Sequence, residues 1–109
     1  MICEQWEVAV VPFPFIDRDG AKRRPALVLS KRDFNRSGHS VLAMITTSVV
    51  PPWPGDTGLL DQQAAGLRAP CTVRLKLFTL DNRLILKSIG HLSAADRRAV
   101  RENIQAHLF

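Results

Sequence analysis

Apolar residues along this chain fall into short, nearly continuous runs separated by polar stretches rich in Pro and Gly. Runs of four to eight such residues bounded by turn signals read as strands, and continuous runs read as strands buried on both faces. Residues 6–11 (WEVAVV) form the first, with Glu7 its only charge. The run continues into Pro12-Phe13-Pro14-Phe15, whose prolines confine pairing to the start of the strand or to an edge. Phe13 and Phe15 fall on one side of an extended chain and are expected to plug one end of the core. Residues 26–29 (ALVL) predict a second strand, buried on both faces. Residues 40–47 (SVLAMITT) predict a third, apolar until it ends in hydroxyls. Residues 70–75 alternate Val73 and Leu75 against Thr72 and Arg74, which predicts a half-buried strand with Arg74 outward. Residues 76–80 either extend that strand or turn, Asp81-Asn82 reads as a tight turn, and residues 84–89 predict a last strand ended by Gly90.

The connections carry their own signals. Residues 31–38 are polar and long enough for one helical turn at most. Pro51, Pro52 and Pro54 exclude a ladder and predict a surface loop, in which Trp53 either packs back on the barrel or stays exposed as a contact residue. Residues 61–66 fit one helical turn closed by Gly66. A longer helix is predicted only at the C-terminus. There Ser93 stands three residues before Asp96, a favourable start, and Val100, Ile104 and Leu108 form one stripe. Arg97, Arg98 and Arg101 occupy the other side and read as a solvated face, with nucleic-acid contact the alternative. The expected architecture is a single domain over residues 1–109. It is mainly β, a small, partly open antiparallel barrel with minor helices and the C-terminal helix.

Charge changes this picture by adding a partner. The net charge is +5 and arginine outnumbers lysine 11 to 4. Arginine's planar fork matches phosphate, so the bias favours an anionic partner such as nucleic acid over a merely basic surface. A basic cluster stands in residues 17–30 (DRDGAKRRPALVLS), where an Asp-Gly turn precedes Lys22, Arg23 and Arg24 and a strand follows Pro25. A loop fixed to a rigid strand thereby holds two guanidinium groups where a phosphate can meet them. Thr46, Thr47 and Ser48 sit at another strand end, presented to solvent or to a ligand. Cys3 and Cys71 lack metal-ligand spacing and read as free, buried thiols; a pair of Cys71 with His39 or His91 is the alternative. No Cys/His cluster, phosphate loop or dinucleotide fingerprint occurs, so neither a metal nor a cofactor is expected. No apolar run has the length of a membrane span, and a cytoplasmic protein is the expectation.

The order of segments carries a resemblance. VPFPF, a turn, RRPALVLS, a strand ending in ITTS, PGD, and then AGL with PC, VR, KLFTLD and IG-x-LS resemble the MazF/PemK family of bacterial toxins over residues 6–108. The resemblance implies an SH3-like barrel of the PemK/CcdB type that pairs into a homodimer. It implies an endoribonuclease that cuts single-stranded mRNA without metal, leaving cyclic-phosphate and 5′-hydroxyl ends, and that a small, partly disordered, acidic antitoxin holds inactive. Arg24, before the proline of RPALVL, and Thr46, after the Ile of the strand-end motif, match the family's catalytic positions. The acid that many relatives place before the Arg falls at Asp19, where it either helps deprotonate the 2′-hydroxyl or orients Arg24. Arg23, Thr47, Ser48, Arg74 and Lys76 are the expected RNA contacts. Two departures leave the general base open: Lys76 stands where relatives often carry an acid, and Trp6-Glu7 replaces the usual Gly-Asp of the first strand. The alternatives are a gyrase-poisoning toxin or a non-catalytic nucleic-acid-binding, including DNA-binding, module on the same barrel.

Overall fold

Each strand expected from the apolar runs is present in the computed structural model, which describes residues 1–12, 22–48 and 50–109. The strands are β1 (Glu7–Pro12), β2 (Arg23–Val28), β3 (His39–Thr46), a two-residue β4 (Thr57–Gly58), β5 (Thr72–Asp81) and β6 (Lys87–His91). One helical turn, α1 (Arg32–Asn35), joins β2 to β3, and α2 (Ala94–Leu108) ends the chain. The six strands form one antiparallel sheet in the order β4-β5-β3-β2-β1-β6, curled into a half-barrel. The Phe13/Phe15 plug, the turn at 19–20 and Asp19 lie outside the described residues.

Side chains on both faces of the central strands are buried, which is why these strands read as continuous apolar runs. Ala9, Val11, Ala26, Val28, Leu42 and Met44 pack on the inner face with Cys3, Phe78, Leu80 and Ile85. Val8, Leu27, Ala43, Ile45 and Val73 pack on the outer face with Trp6, Leu92 and Val100. Alternation along β1, β2 and β3 divides the two sets, and the paired register (Ala9↔Ala26↔Met44; Val8↔Leu27↔Ala43) holds them together across strands. Leu27, Leu42 and Leu92 are fully buried, each contributing about 1.5–3 kcal/mol by removal from water.

α2 lies over the outer face. Ser93 caps it, its Oγ accepting from the Asp96 N–H at 3.2 Å. Of the expected stripe, Val100 is fully buried and Ile104 partly, while Leu108 is largely exposed. Arg98 and Arg101 are exposed as expected, but Arg97 donates to the Leu92 carbonyl and Arg101 lies over the Trp6 ring at 5.5 Å.

β5 continues through residues 76–80, with an irregularity where Leu75 and Lys76 fall between the pairs Arg74↔Met44 and Leu77↔Ala43. The last strand starts later than its apolar residues imply. Asn82–Leu84 form a 3₁₀ turn, because the Asp81 carboxylate accepts from the Arg83 N–H at 2.8 Å and Asn82 is drawn inward. Asn82 is buried, accepting from Ser40 Oγ and donating to the Asn35 carbonyl. β6 then includes Gly90 rather than ending before it. Residues 62–66 close as a turn instead of a helical turn, with Gly66 at φ +73°. A Cβ on Gly66 would sit 2.0 Å from the Ile89 carbonyl oxygen, so only glycine lets this turn lie directly on β6.

Candidate active site

β1 ends, β2 begins, β3 ends and β5 begins at one end of the sheet. The β2–β3 register runs Val28↔Leu42, Leu27↔Ala43 and Ala26↔Met44, so Arg24 and Thr46 lie just beyond its last pair, at the same end of the sheet. Arg24 pairs with Val11 of β1, and Thr46 with Thr72 of β5. Val11, Ala26 and Met44 belong to the inner face, so by alternation Arg24 and Thr46 share that face at the rim of the half-barrel. The two residues that the sequence marks from separate motifs thus lie on adjacent strands at one end of the sheet.

Arg24 is half-buried, and its Nε is buried with no hydrogen-bond partner among the described residues. A buried guanidinium N–H left unpaired is costly, and an incoming oxyanion would satisfy it. The Thr46 Oγ1 accepts from the Ser48 N–H at 3.0 Å, which fixes the acceptor side of the hydroxyl and leaves its own hydrogen for a ligand. Arg23, Thr47 and Ser48 are exposed around this pair.

Arg74 is not where the strand pattern put it. Its alternation with Val73 holds, but the face it occupies is covered, and Arg74 is only 8% exposed. Residues 50–56 fold over it. Nε and Nη2 grip the two oxygens of Asp56 at 3.1 and 2.9 Å, and Nη2 also reaches the Pro51 carbonyl at 3.2 Å. These hydrogen bonds hold the Asp56 carboxyl below its ordinary value and raise the guanidinium in return. Arg74 is thus a clamp for the loop rather than an outward-facing cation. Lys76 is half-buried, its Nζ 5.6 Å from the Trp53 ring centroid. Trp53 combines both readings offered for it: it rests on Arg74 at 5.9 Å and Lys76, yet is 39% exposed.

Asp56 as the partner of Arg74 was not foreseen, although an acid directly after Pro-Gly was the available signal. Nor was the support from α2, where Asn103 donates to Thr57 Oγ1 at 2.6 Å. The thiol–histidine alternative loses its chemistry. Cys3 and Cys71 are free and buried. Burial, with Glu7 adding to it, pushes the Cys3 thiol up to about 11, and burial raises Cys71 as well. Among the described residues no cluster of His, Cys, Asp and Glu is arranged to hold a metal ion, and no helix is long and apolar enough to cross a membrane.

Fold and site together define a small half-barrel that presents an arginine and a threonine from adjacent strand ends. The model of the PemK-like, MazF-like toxins of type II toxin–antitoxin systems matches residues 4–108, and the chain belongs to that family. No curated protein sequence matches it. Among solved structures, a mycobacterial endoribonuclease in complex with its cognate antitoxin is similar at a TM-score of 0.78 with 15% identity, over 97% of this chain and 94% of that one. A MazE–MazF complex from Deinococcus radiodurans is similar at 0.77 with 20% identity, over 99% and 97%. A MazF toxin of Mycobacterium tuberculosis is similar at 0.72 with 22% identity, over 92% and 93%.

Proposed function

We propose that this toxin is an endoribonuclease that cuts single-stranded mRNA by metal-independent transesterification, arresting translation and growth. The observation that carries the proposal is the Arg24 guanidinium, unpaired at Nε among the described residues, at the same end of the sheet as Thr46 on the adjacent strand. A 2′-hydroxyl oxygen bonds to the adjacent phosphorus, its proton leaves, and the P–O5′ bond breaks as the 5′-oxygen takes up a proton. Arg24 stabilises the charge that grows on the non-bridging oxygens. Thr46 donates its hydroxyl hydrogen to one of those oxygens or relays a proton. Asp19 is proposed either to take the 2′-hydroxyl proton or to orient Arg24; Arg23, Thr47 and Ser48 are proposed to hold flanking phosphates. Lys76 is proposed to contact RNA directly, and Arg74 to act through the loop it clamps. A gyrase-poisoning role leaves the unpaired Arg24 without a task.

Family membership supports two partners. The antitoxin is proposed to be an acidic segment that folds onto the Arg-lined rim, drawn by the net charge of +5. The second partner is another copy of the chain. Phe34, Leu77, Ile104, Leu108 and Phe109 border an apolar groove of about 550 Å³ that is remote from Arg24 and Thr46 in its lining. An exposed apolar surface of this kind is what a dimer would cover. The cytoplasm, where mRNA is translated, is the proposed site of action.

Single-turnover cleavage of a single-stranded RNA by Arg24→Ala and Thr46→Val tests the catalytic assignment. Loss of roughly 10²–10³-fold in rate for the arginine, with RNA binding kept within a few-fold, is the expected outcome. An undiminished rate in Arg24→Ala overturns it.

A further inference from the structure

A tryptophan that only anchors a loop is normally buried, as Trp6 is at 6% exposure. Trp53 is held just as firmly but left 39% open. Its backbone N–H donates to Asp56 Oδ2 at 3.1 Å, its carbonyl accepts from the Asp56 N–H at 3.1 Å, and the same carboxylate is gripped by buried Arg74. Pro51, Pro52 and Pro54 fix φ on both sides of it. The ring lies against two cations, Arg74 at 5.9 Å and Lys76 at 5.6 Å. A rigid, half-open aromatic ring is therefore mounted on the segment that runs directly on from Thr46. Its mount, Arg74, is two residues along β5 from Thr72, the partner of Thr46.

Single-stranded nucleic acids are bound by this combination: cations that track phosphates, and an aromatic face on which a base stacks. From this we infer that Trp53 is the stacking platform for a base flanking the scissile phosphate, with the Arg74–Asp56 pair as the device that holds the platform in place. The inference rests on the RNA-cleaving reading and adds a residue to it. Every base has a π-face, so the platform contributes affinity and register without choosing the base. Because the Trp53 backbone is already tied to Asp56, little conformational freedom is lost when the base lands. Trp53 acts on binding and Arg24 on the chemical step, and the two separate in kinetics.

The test uses a random-sequence single-stranded 2′-O-methyl RNA, which lacks the attacking hydroxyl, and a cleavable RNA of the same length. Trp53→Ala is expected to weaken binding of the uncleavable RNA about tenfold or more, and Trp53→Phe by no more than about threefold. The loss in Trp53→Ala persists at every salt concentration with an unchanged slope of log Kd against log salt, since no phosphate contact is removed. On cleavable RNA the same variant raises KM with kcat little changed. Tryptophan emission of the wild type falls on binding, and that fall is absent in Trp53→Phe, because Trp6 stays buried. Wild-type affinity and slope in Trp53→Ala, or quenching that survives in Trp53→Phe, overturns the platform while leaving the nuclease intact. If the wild type neither binds nor cuts RNA, the nuclease reading itself fails and the platform with it.

Discussion

Two arginines, Arg24 and Arg74, begin from similar sequence contexts at strand ends and finish in opposite electrostatic states. Arg74 is neutralised by Asp56 and buried; Arg24 keeps a buried Nε without a partner among the described residues. The first holds a loop; the second is the guanidinium proposed to meet the RNA phosphate. Asp56 is held below the ordinary carboxyl value of 3.8, chiefly by its hydrogen bond from Arg74. A carboxyl depressed by folding contributes stability that is fully present above its unfolded value and is lost as pH falls through its folded value. The clamp is therefore intact at neutral pH and releases only below the ordinary carboxyl range. Asp56→Asn is expected to lower stability at pH 7 by about 2–4 kcal/mol, as removal of one partner from a largely buried pair does. It also flattens the acid limb of a stability-against-pH curve measured by urea unfolding. An acid limb identical to that of the wild type would show that the pair carries none of the pH dependence.

At the level of elements, the strands were legible because both faces of the sheet are packed, so β1, β2 and β3 show as uninterrupted apolar runs. α2 was legible from its cap and its four-residue stripe. What was not legible has a common physical cause, the filling of polar positions by distant partners. Arg74 alternates with Val73 as an outward residue would, and only residues 50–56 turn its face into interior. Asn35, Asn82 and Asp96 look like surface residues in sequence and are each buried, because each satisfies backbone groups far along the chain. Asp96 is fully buried and accepts from the Leu60 and Asp61 N–H groups at 2.9 and 3.0 Å, tying the start of α2 to the chain after β4. Asp96→Ala leaves two N–H groups without acceptors and is expected to cost about 2–4 kcal/mol. Ser93→Ala, which removes only the cap, is expected to cost about 1 kcal/mol. Equal losses in thermal unfolding would contradict this division of roles. Trp6 sits at φ +74°, a conformation that favours glycine, so its burial in the core holds the tryptophan against its backbone preference.

For the whole molecule, the candidate site and the apolar groove have different linings, the site at the sheet rim and the groove between α2 and the β2–α1–β3 segment. That separation lets assembly and catalysis be perturbed apart. Phe34 and Leu108 are 50% and 46% exposed beside the groove. The double variant Phe34→Asp/Leu108→Asp is expected to sediment as a monomer under conditions where the wild type sediments as a dimer. A wild-type monomer at micromolar concentration would remove the proposed interface. The candidate site was legible in part: the motifs marked Arg24 and Thr46, while the sheet order set their strands side by side. The most direct test of the account is incubation of wild type and Arg24→Ala with single-stranded RNA in EDTA, followed by analysis of the product ends. Cyclic-phosphate and 5′-hydroxyl ends made by the wild type alone are the predicted result. Ends with a 5′-phosphate, cleavage that EDTA abolishes, or equal cleavage by Arg24→Ala would contradict it.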